Sequence, residues 1–410
     1  MRHMRDEMLR RWGWKLASVC SVAVVPLLLG ARAQSGNGGP VPYASIATEG
    51  ESYAGPGRDT INDLTGSVIN IGLLVPLHGA EKPDGDAMVS AAQMALQDAG
   101  GDVLPRGRRI ALDIRDESGP SWGIVSDTVI HLILDDDAVA VITSTSGTDA
   151  HLTEQVGNRI GVPVLTLSAD STTTQIDIPW IFRMGASDVA EARVIAQRIY
   201  RDKGLKTVLL ITEQDHDGRR GIEAIEQAAR ELGGGPPDSV AMDPLRMDVG
   251  PVMKQIQAAS PQAVVIWTGA ETAGMLLHAL QGARVKTACF LSQQAAQAGS
   301  GMTNTPEGGP SVPEVWTVAA DGEDAAVRQS FTQRYKQATG ISPSAVAAET
   351  YDAVAVTLRA MRIAGANRAR VRDALAGVQN FNGASGRISF DREGNDRTAF
   401  HLVRMTEVHE

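Results

Sequence analysis

Apolar residues in this chain fall into short dense runs separated by longer segments of helical period. Val68–Val75, reading VINIGLLV, is the clearest run. Pro76-Leu77-His78-Gly79 break it, and Asp84–Ala99 resume as an alanine-rich amphipathic helix. Similar runs recur at Ile110–Arg115, Ala138–Thr143, Val162–Leu167, Ile181–Met184, Thr207–Thr212, Ser239–Met242, Ala263–Trp267 and Ala288–Leu291. Short, β-branched and almost wholly apolar, they suit parallel strands covered on both faces. Between them the period predicts helices over Asp84–Ala99, Trp122–Leu134, Asp149–Ile160, Asp188–Lys203, Gly218–Leu232, Val249–Ala259 and Glu271–Ala283. Glycines such as Gly100-Gly101, Gly204 and Gly233-Gly234-Gly235 stop them.

Strict alternation of strand and helix implies an α/β protein with a mostly parallel sheet and helices on both faces. Nine strands exceed one ordinary doubly wound domain, so two α/β lobes are expected. The pattern then changes. One more strand, Val315–Val318, precedes three successive helices at Glu323–Ala338, Ser344–Ala364 and Arg368–Val378. Gly386–Phe390 and Phe400–Arg404 read as paired strands around a turn at Asp391–Asn395.

The first residues carry a different pattern. A basic start (Arg2, Arg5, Arg10, Arg11, Lys15) leads into the apolar run Leu16–Gly30 and then Ala31-Arg32-Ala33. This predicts a signal peptide over 1–33, cleaved before Gln34. The run is shorter than a spanning helix requires, and Pro26 interrupts it. Retention as an anchor, lipidation at Cys20, and Sec or twin-arginine export all stay open. Residues 34–67 form a leader, in which Gln34–Gly66 is rich in Gly, Pro, Ser and Asn without a sustained period.

Removing residues 1–33 leaves 32 basic against 46 acidic residues, a net charge of −14. That excludes nucleic acid and an anionic membrane surface as expected partners. Cys289 is then the single cysteine, so no internal disulfide can form. The chain has no GxxxxGK[ST], no G-x-G-x-x-G after the first strand, no H-E-x-x-H and no CxxC. No cofactor and no metal site is expected. A hydrolase whose nucleophile and base meet only on folding stays open as an alternative.

Four segments, in order, carry a family resemblance: IGLLVPLHG at 71–79 with Gly85 following, GVPVLTLSAD at 161–170, IFRMGASD at 181–188 and FNGASGRISFDREGN at 381–395. Together they resemble the type I periplasmic binding proteins, in the leucine/isoleucine/valine-binding branch that serves ABC importers. The resemblance implies two Rossmann-like lobes joined by three crossovers, with a ligand held in the cleft between them. It places lobe one at 68–184 plus 318–381 and lobe two at 185–317 plus 382–410. It also implies a non-enzymatic, monomeric, periplasmic or extracytoplasmic protein. Such a protein captures a small polar ligand, an amino acid or a related amide or carboxylate, and presents it to membrane permease subunits. The ligand-binding input of a sensory system is the alternative, because fold alone does not separate the two.

Ligands of open α/β sheets sit beyond the carboxyl ends of the strands, which selects the candidate residues. Leu77, His78 and Asp84 follow the first strand; Asp84 equally suits a helix N-cap. Ser146, Gly147 and Thr148 open a helix whose free N–H groups suit a carboxylate, and the resemblance places the ligand's carboxylate there. Ser168, Ala169 and Asp170 follow the next strand. His216 and Asp217 stand where the family often has an aromatic residue. Trp267 ends a strand and could stack on a ligand or fill the core. Gln294 stands where many amino-acid binders of the family have Glu. A desolvated ammonium needs a counter-charge, so Asp170, Asp217 or Glu271 must replace that Glu, or the ligand is not a standard amino acid.

Overall fold

The computed structural model describes residues 63–405, apart from 101–103, 105–106, 119–121, 175–179, 245, 247, 298–313 and 323. The expected signal peptide and the leader up to residue 62 lie outside the described residues. Five strands, β1 (Val68–Val75), β2 (Arg109–Asp116), β3 (Ala138–Thr143), β4 (Val164–Thr166) and β5 (Ile181–Arg183), form a parallel sheet in the order β2-β1-β3-β4-β5. The connecting helices are α1 (Lys82–Ala99), α2 (Trp122–Leu134) and α3 (Gly147–Ile160). Side chains alternate between the two faces. Ile69, Ile71, Leu73 and Val75 enter one core with α1, whereas Leu74 enters another with α2 and α3. Both faces are thus covered, which is why β1 and β3 read as almost wholly apolar runs. Gly85 lets α1 pass over the end of β1, since a Cβ there would collide with the Pro76 carbonyl oxygen.

The chain first crosses at Met184–Ser187. It enters α4 (Asp188–Ala196), prolonged by a π-helical turn at Gln197–Asp202. Then follow β6 (Val208–Glu213), α5 (His216–Glu231), β7 (Asp238–Met242), α6 (Gly250–Ala259), β8 (Ala263–Trp267), α7 (Ala270–Gly282), β9 (Ala288–Leu291), the short α8 (Gln293–Ala296) and β10 (Val315–Ala320). Alternation holds here too: Val265 and Trp267 pack with α4 and α5, Val264 and Ile266 with α6 and α7. Buried Cys289 lies on the second of these faces, its thiol pushed up to about 12 by desolvation.

A second crossing after β10 returns the chain to the first sheet. There α9 (Ala325–Thr339), α10 (Ala345–Ala364) and α11 (Arg368–Ala376) share the core of β1 and α1. The hairpin of β11 (Phe381–Asn382) and β12 (Arg387–Ile388) follows. Buried Asp352 holds its loop, accepting the N–H groups of Ala384 and Ser385 at 2.8 and 2.7 Å. The third crossing ends in β13 (Phe400–Arg404), which completes the sheet β13-β10-β9-β8-β6-β7. Among the described residues no helix is long and apolar enough to cross a membrane.

Three sequence expectations are corrected. Phe400–Arg404 pairs antiparallel with β10, Trp316 opposite Arg404, and not with Gly386–Phe390. The turn at Asp391–Asn395 does form, but it docks on β5: the Arg183 N–H donates to Gly394 O at 2.8 Å and the Asp396 N–H to Arg183 O at 3.2 Å. The chain beyond the turn is therefore aimed at the open edge of β10. The expected boundary at 317/318 falls inside β10, which stays in the second sheet through Ala320. That at 381/382 falls inside β11, and Ala384, Ile388 and Phe390 lie in the core of the first sheet. The second and third crossings come later for those reasons.

Arg183 is the pin of the third crossing. Its buried guanidinium donates to the Asp170 carbonyl at 2.8 Å, to the Thr174 hydroxyl at 3.0 Å and to the Asn395 side chain. Arg183→Met roughly keeps the volume, removes these bonds and deprives Asp188, Asp170, Asp391 and Asp396 of the buried positive charge they face. Urea unfolding of this variant is expected to show a loss of about 3 kcal/mol or more. A loss below about 1 kcal/mol, the worth of one ordinary hydrogen bond, would mean that the crossing does not depend on Arg183.

Candidate functional site

The carboxyl ends of the two sheets face one another, and their loops supply the site. In lobe one these loops are Thr145–Ser146 after β3 and Leu167–Asp170 after β4. In lobe two they are Gln214–Asp215 after β6, Thr268–Gly269 after β8 and Ser292 after β9. The helices that follow are capped by their own sequence. Ser146 accepts the Asp149 N–H, Asp215 the Gly218 N–H at 2.7 Å, and Ser292 the Ala295 N–H. These caps fix where each helix begins.

Asp170 is where the lobes meet. Its side chain is fully buried, yet four residues reach it. Oδ2 faces His151 Nε2 at 2.9 Å and His216 Nε2 at 2.6 Å. Oδ1 accepts the Thr172 N–H at 2.9 Å and its hydroxyl at 2.7 Å, and lies 3.2 Å from Arg220 Nε. His151 and Thr172 belong to lobe one, His216 and Arg220 to lobe two. Desolvation acts to raise the carboxyl's pKa, but these donors outweigh it and hold the pKa well below the usual range. His151 is pushed up to about 9 by its bonds to Asp170 and Glu154. Arg220 also pairs with Asp188 at 3.0 Å and with Glu223, so its charge is committed.

Beside this junction the two lobes exchange a backbone contact. Asp217, in the first turn of α5, accepts the Gly147 N–H at the start of α3 at 3.2 Å. A Cβ at position 147 would overlap the Asp217 carboxylate. The helix N-terminus expected to hold a ligand's carboxylate is thus filled by a carboxyl group of the protein. Burial raises Asp217 to about 8, with Asp215, Asp170 and Glu81 adding in the same direction.

A cavity of about 40 Å³ lies between the lobes, with room for a few waters. A ligand of amino-acid size therefore enters only as the lobes part. Thr145, Ala169, Asp170, Asp217, Trp267 and Gln294 line it, as do Asp188, Glu191, Arg220 and Glu349. Glu191 is pushed up to about 8, first by burial and then by Asp188, although its Oε2 accepts the Gln293 N–H at 2.8 Å. Glu349 is raised well above its ordinary value by burial, with Glu191, Asp352 and Asp396 adding to it. The charged groups acting on these two residues are all carboxylates.

The other expected residues sort by position. Ser168 is buried and orients Asp170, whose N–H donates to Ser168 Oγ at 3.2 Å. Trp267 serves the core and the cavity wall together, its ring lying against Gly221. Leu77 packs on the first core, exposed His78 pairs with Asp116 at 2.7 Å, and Thr148 is exposed. Asp84 is not an N-cap, because α1 begins two residues earlier at Lys82 with Pro83 in its first turn. Burial pushes Asp84 up to about 6. At the rim, Glu81 is pushed up to about 7 by desolvation and by Asp84, Glu213, Asp149 and Asp215, although it keeps contact with solvent. Glu271 is exposed and outside the cavity. Sequence reasoning missed His151, Glu191, Arg220 and Glu349, which lie within helices. It also expected no metal-ligand set, whereas donor atoms of His151, Asp170 and His216 lie within 4.8 Å of one another.

Two α/β lobes with facing strand ends, three crossings and a polar cavity between them define a cleft-closing ligand-binding protein. The chain belongs to the periplasmic binding protein family, whose sequence pattern matches residues 68–410. No curated protein sequence matches it. The fold is similar to that of the leucine binding protein LivK from Thermotoga maritima, with a TM-score of 0.70 at 20% identity, over 82% of this chain and 94% of that one. It is similar to LivJ of Streptococcus pneumoniae in complex with isoleucine, with a TM-score of 0.68 at 18% identity, over 82% and 99%. It is also similar to a solute binding protein of an ABC transporter from R. palustris in complex with benzoate, with a TM-score of 0.73 at 18% identity, over 83% and 94%.

Gly147→Ala places a methyl group between the lobes while leaving α3 a good helix-former at its first position. The variant is expected to stay folded by circular dichroism yet to show a larger radius of gyration in small-angle X-ray scattering. An unchanged radius would mean that the Gly147–Asp217 contact does not set lobe closure.

Proposed function

We propose that this chain is the extracytoplasmic solute-binding subunit of an ABC importer, and that its ligand is a small molecule bearing a cationic nitrogen. The observation that carries the reading is the pair Glu191 and Glu349. These buried carboxyls come from opposite lobes and line one cavity, and the charged groups acting on them are carboxylates. An amine placed between them supplies the missing counter-charge and touches both lobes at once, so its binding energy is realised in the closed state. Two of the similar structures named above are complexes, one with isoleucine and one with benzoate. An ammonium group suits this cavity. A carboxylate meets Asp217 where the family resemblance placed it, so Gly147 serves lobe contact here in place of anion binding. Ala169, Trp267 and Gln294 then shape the rest of the cavity. Capture involves no covalent change, and the closed form is what the membrane permease subunits meet. The N-terminal residues 1–33 direct export and are removed before Gln34.

The sign of the pH dependence follows from Glu191. Its carboxyl titrates near 4.5 in the unfolded chain and at about 8 when folded. Across that window the unfolded state releases a proton that the folded state keeps, so ligand-free stability falls as pH rises. A bound cation favours the ionised carboxylate and reverses the trend. Amines are therefore expected to raise the melting temperature more at pH 8 than at pH 5 in a thermal-shift screen, and benzoate is not expected to raise it at either. Stabilisation by benzoate without any by amines would overturn the cationic reading.

Glu191→Gln and Glu349→Gln should each weaken amine binding by about tenfold or more, a loss of at least about 1.4 kcal/mol. They should raise the ligand-free melting temperature at pH 8 and leave it unchanged at pH 5. Ala169→Trp should abolish binding with the fold intact, as read by calorimetry and circular dichroism. Undiminished affinity in that variant would remove the β4 loop from the site.

A further inference from the structure

We propose that His151, Asp170 and His216 form a site for a late first-row divalent metal ion, with Zn2+ as the type case, and that the ion ties the two lobes together. The three donors converge from distant positions. His151 lies on α3, Asp170 follows β4, and His216 opens α5 in the other lobe. Both Nε2 atoms address the same oxygen, Asp170 Oδ2, at 2.9 and 2.6 Å. The imidazole planes are nearly perpendicular, 83° apart with centroids 5.6 Å apart, so the rings point at a shared position without stacking.

The surroundings are those of a built site. The Glu154 carboxylate, itself buried, faces His151 Nδ1 at 3.4 Å. A carboxylate on the far nitrogen fixes the ring and leaves Nε2 as the ligating atom. Asp170 Oδ1 is occupied by Thr172 and Arg220, which leaves Oδ2 for the ion. Arg220 brings one positive charge to the junction, against the carboxylates of Asp170, Asp188 and Glu154. Two imidazoles and one carboxylate form a donor set suited to Zn2+ and its neighbours, whereas Ca2+ and Mg2+ prefer oxygen donors. With metal–ligand distances of about 2.0–2.2 Å, tetrahedral donors stand about 3.3 Å apart. The contacts to Oδ2 need to widen by less than about 1 Å to admit an ion of that size. The ion takes the place of the Nε2 protons, which leave to solvent. The Thr172 hydroxyl, 2.9 Å from His151 Nε2, borders the fourth position, which water can fill.

Because the ligands belong to both lobes, the metal binds tightly only when the lobes meet, and by linkage the metal favours closure. This inference does not depend on the chemistry of the transported ligand. Calorimetry of the purified exported protein with ZnCl2 should show one ion bound per chain at micromolar concentration or below. Co2+ should give the intense visible bands of tetrahedral coordination. Small-angle scattering should show compaction on adding Zn2+. His151→Ala and His216→Ala, both at partly exposed positions, should each weaken Zn2+ binding by about 100-fold or more, beyond the cost of losing an outer partner. His216→Ala should also lose the compaction. Two results would overturn the proposal. One is Zn2+ affinity unchanged in both variants, which assigns the ion to other histidines such as His78 or His131. The other is no binding tighter than millimolar by the wild-type chain, which leaves the junction a hydrogen-bonded latch. If either variant fails to fold by circular dichroism, the wild-type Co2+ spectrum decides: octahedral bands count against the site and tetrahedral bands for it.

Discussion

The buried carboxylate of Asp170 is the constraint around which the closed arrangement is organised. An isolated carboxylate taken out of water costs several kcal/mol. Here the cost is offset by donors that neither lobe holds alone: His151 and Thr172 from one side, His216 and Arg220 from the other. When the lobes part, Asp170 loses two of these partners and regains water. The two states are therefore closely balanced, since buried ion pairs commonly recover little more than their desolvation. The junction fixes how the lobes meet more than how strongly they adhere. That is what a binding protein requires, because a ligand can shift only an equilibrium that is already near balance.

The cavity beside the junction is under the opposite condition. Asp170 has more donors than it needs, whereas Glu191, Glu349 and Asp217 have carboxylates as their charged neighbours and are held neutral by burial. Arg220 does not relieve them, because its guanidinium is committed to Asp170, Asp188 and Glu223. Acidic groups thus gather where the lobes face each other, extending to Glu81, Asp84, Asp149, Glu213 and Asp215 at the rim. A cation that enters such a cavity allows these carboxyls to ionise and pairs with them in turn.

How much of this was legible in the sequence depends on whether the cause was local. Strands β1, β3, β8 and β9 match the expected ranges to the residue, because a strand covered on both faces is apolar at nearly every position. The loops that carry Ala169, Asp170, Asp217 and Gln294 to the cavity were found because they follow such strands. The pairing of β13 was misread because its partner, β10, lies about eighty residues away, while the turn beside it is local and offered a nearer partner. His151, Glu191 and Glu349 were missed for a related reason. Each sits within a helix, where a lone polar residue is normally solvated, and only the opposing lobe turns that face into a cavity wall or junction.

Gly147 and Asp217 show how such a non-local cause can hide in ordinary residues. A glycine at the first position of a helix needs no explanation by itself, and neither does an aspartate in the first turn of another. The two helix starts α3 and α5 approach head to head, and their partial positive charges would repel across the contact. Asp217 answers this by lying in the first turn of its own helix while accepting the first free N–H of the other. The approach is close enough that position 147 admits no side chain. Both helix ends favour an ionised group there, yet burial and the neighbouring carboxylates prevail and raise Asp217 to about 8. A neutral carboxyl still accepts the Gly147 N–H through one oxygen and keeps a proton to donate through the other. The contact that replaces the expected ligand carboxylate is therefore uncharged near neutral pH, and the cavity beside it keeps its demand for a cation.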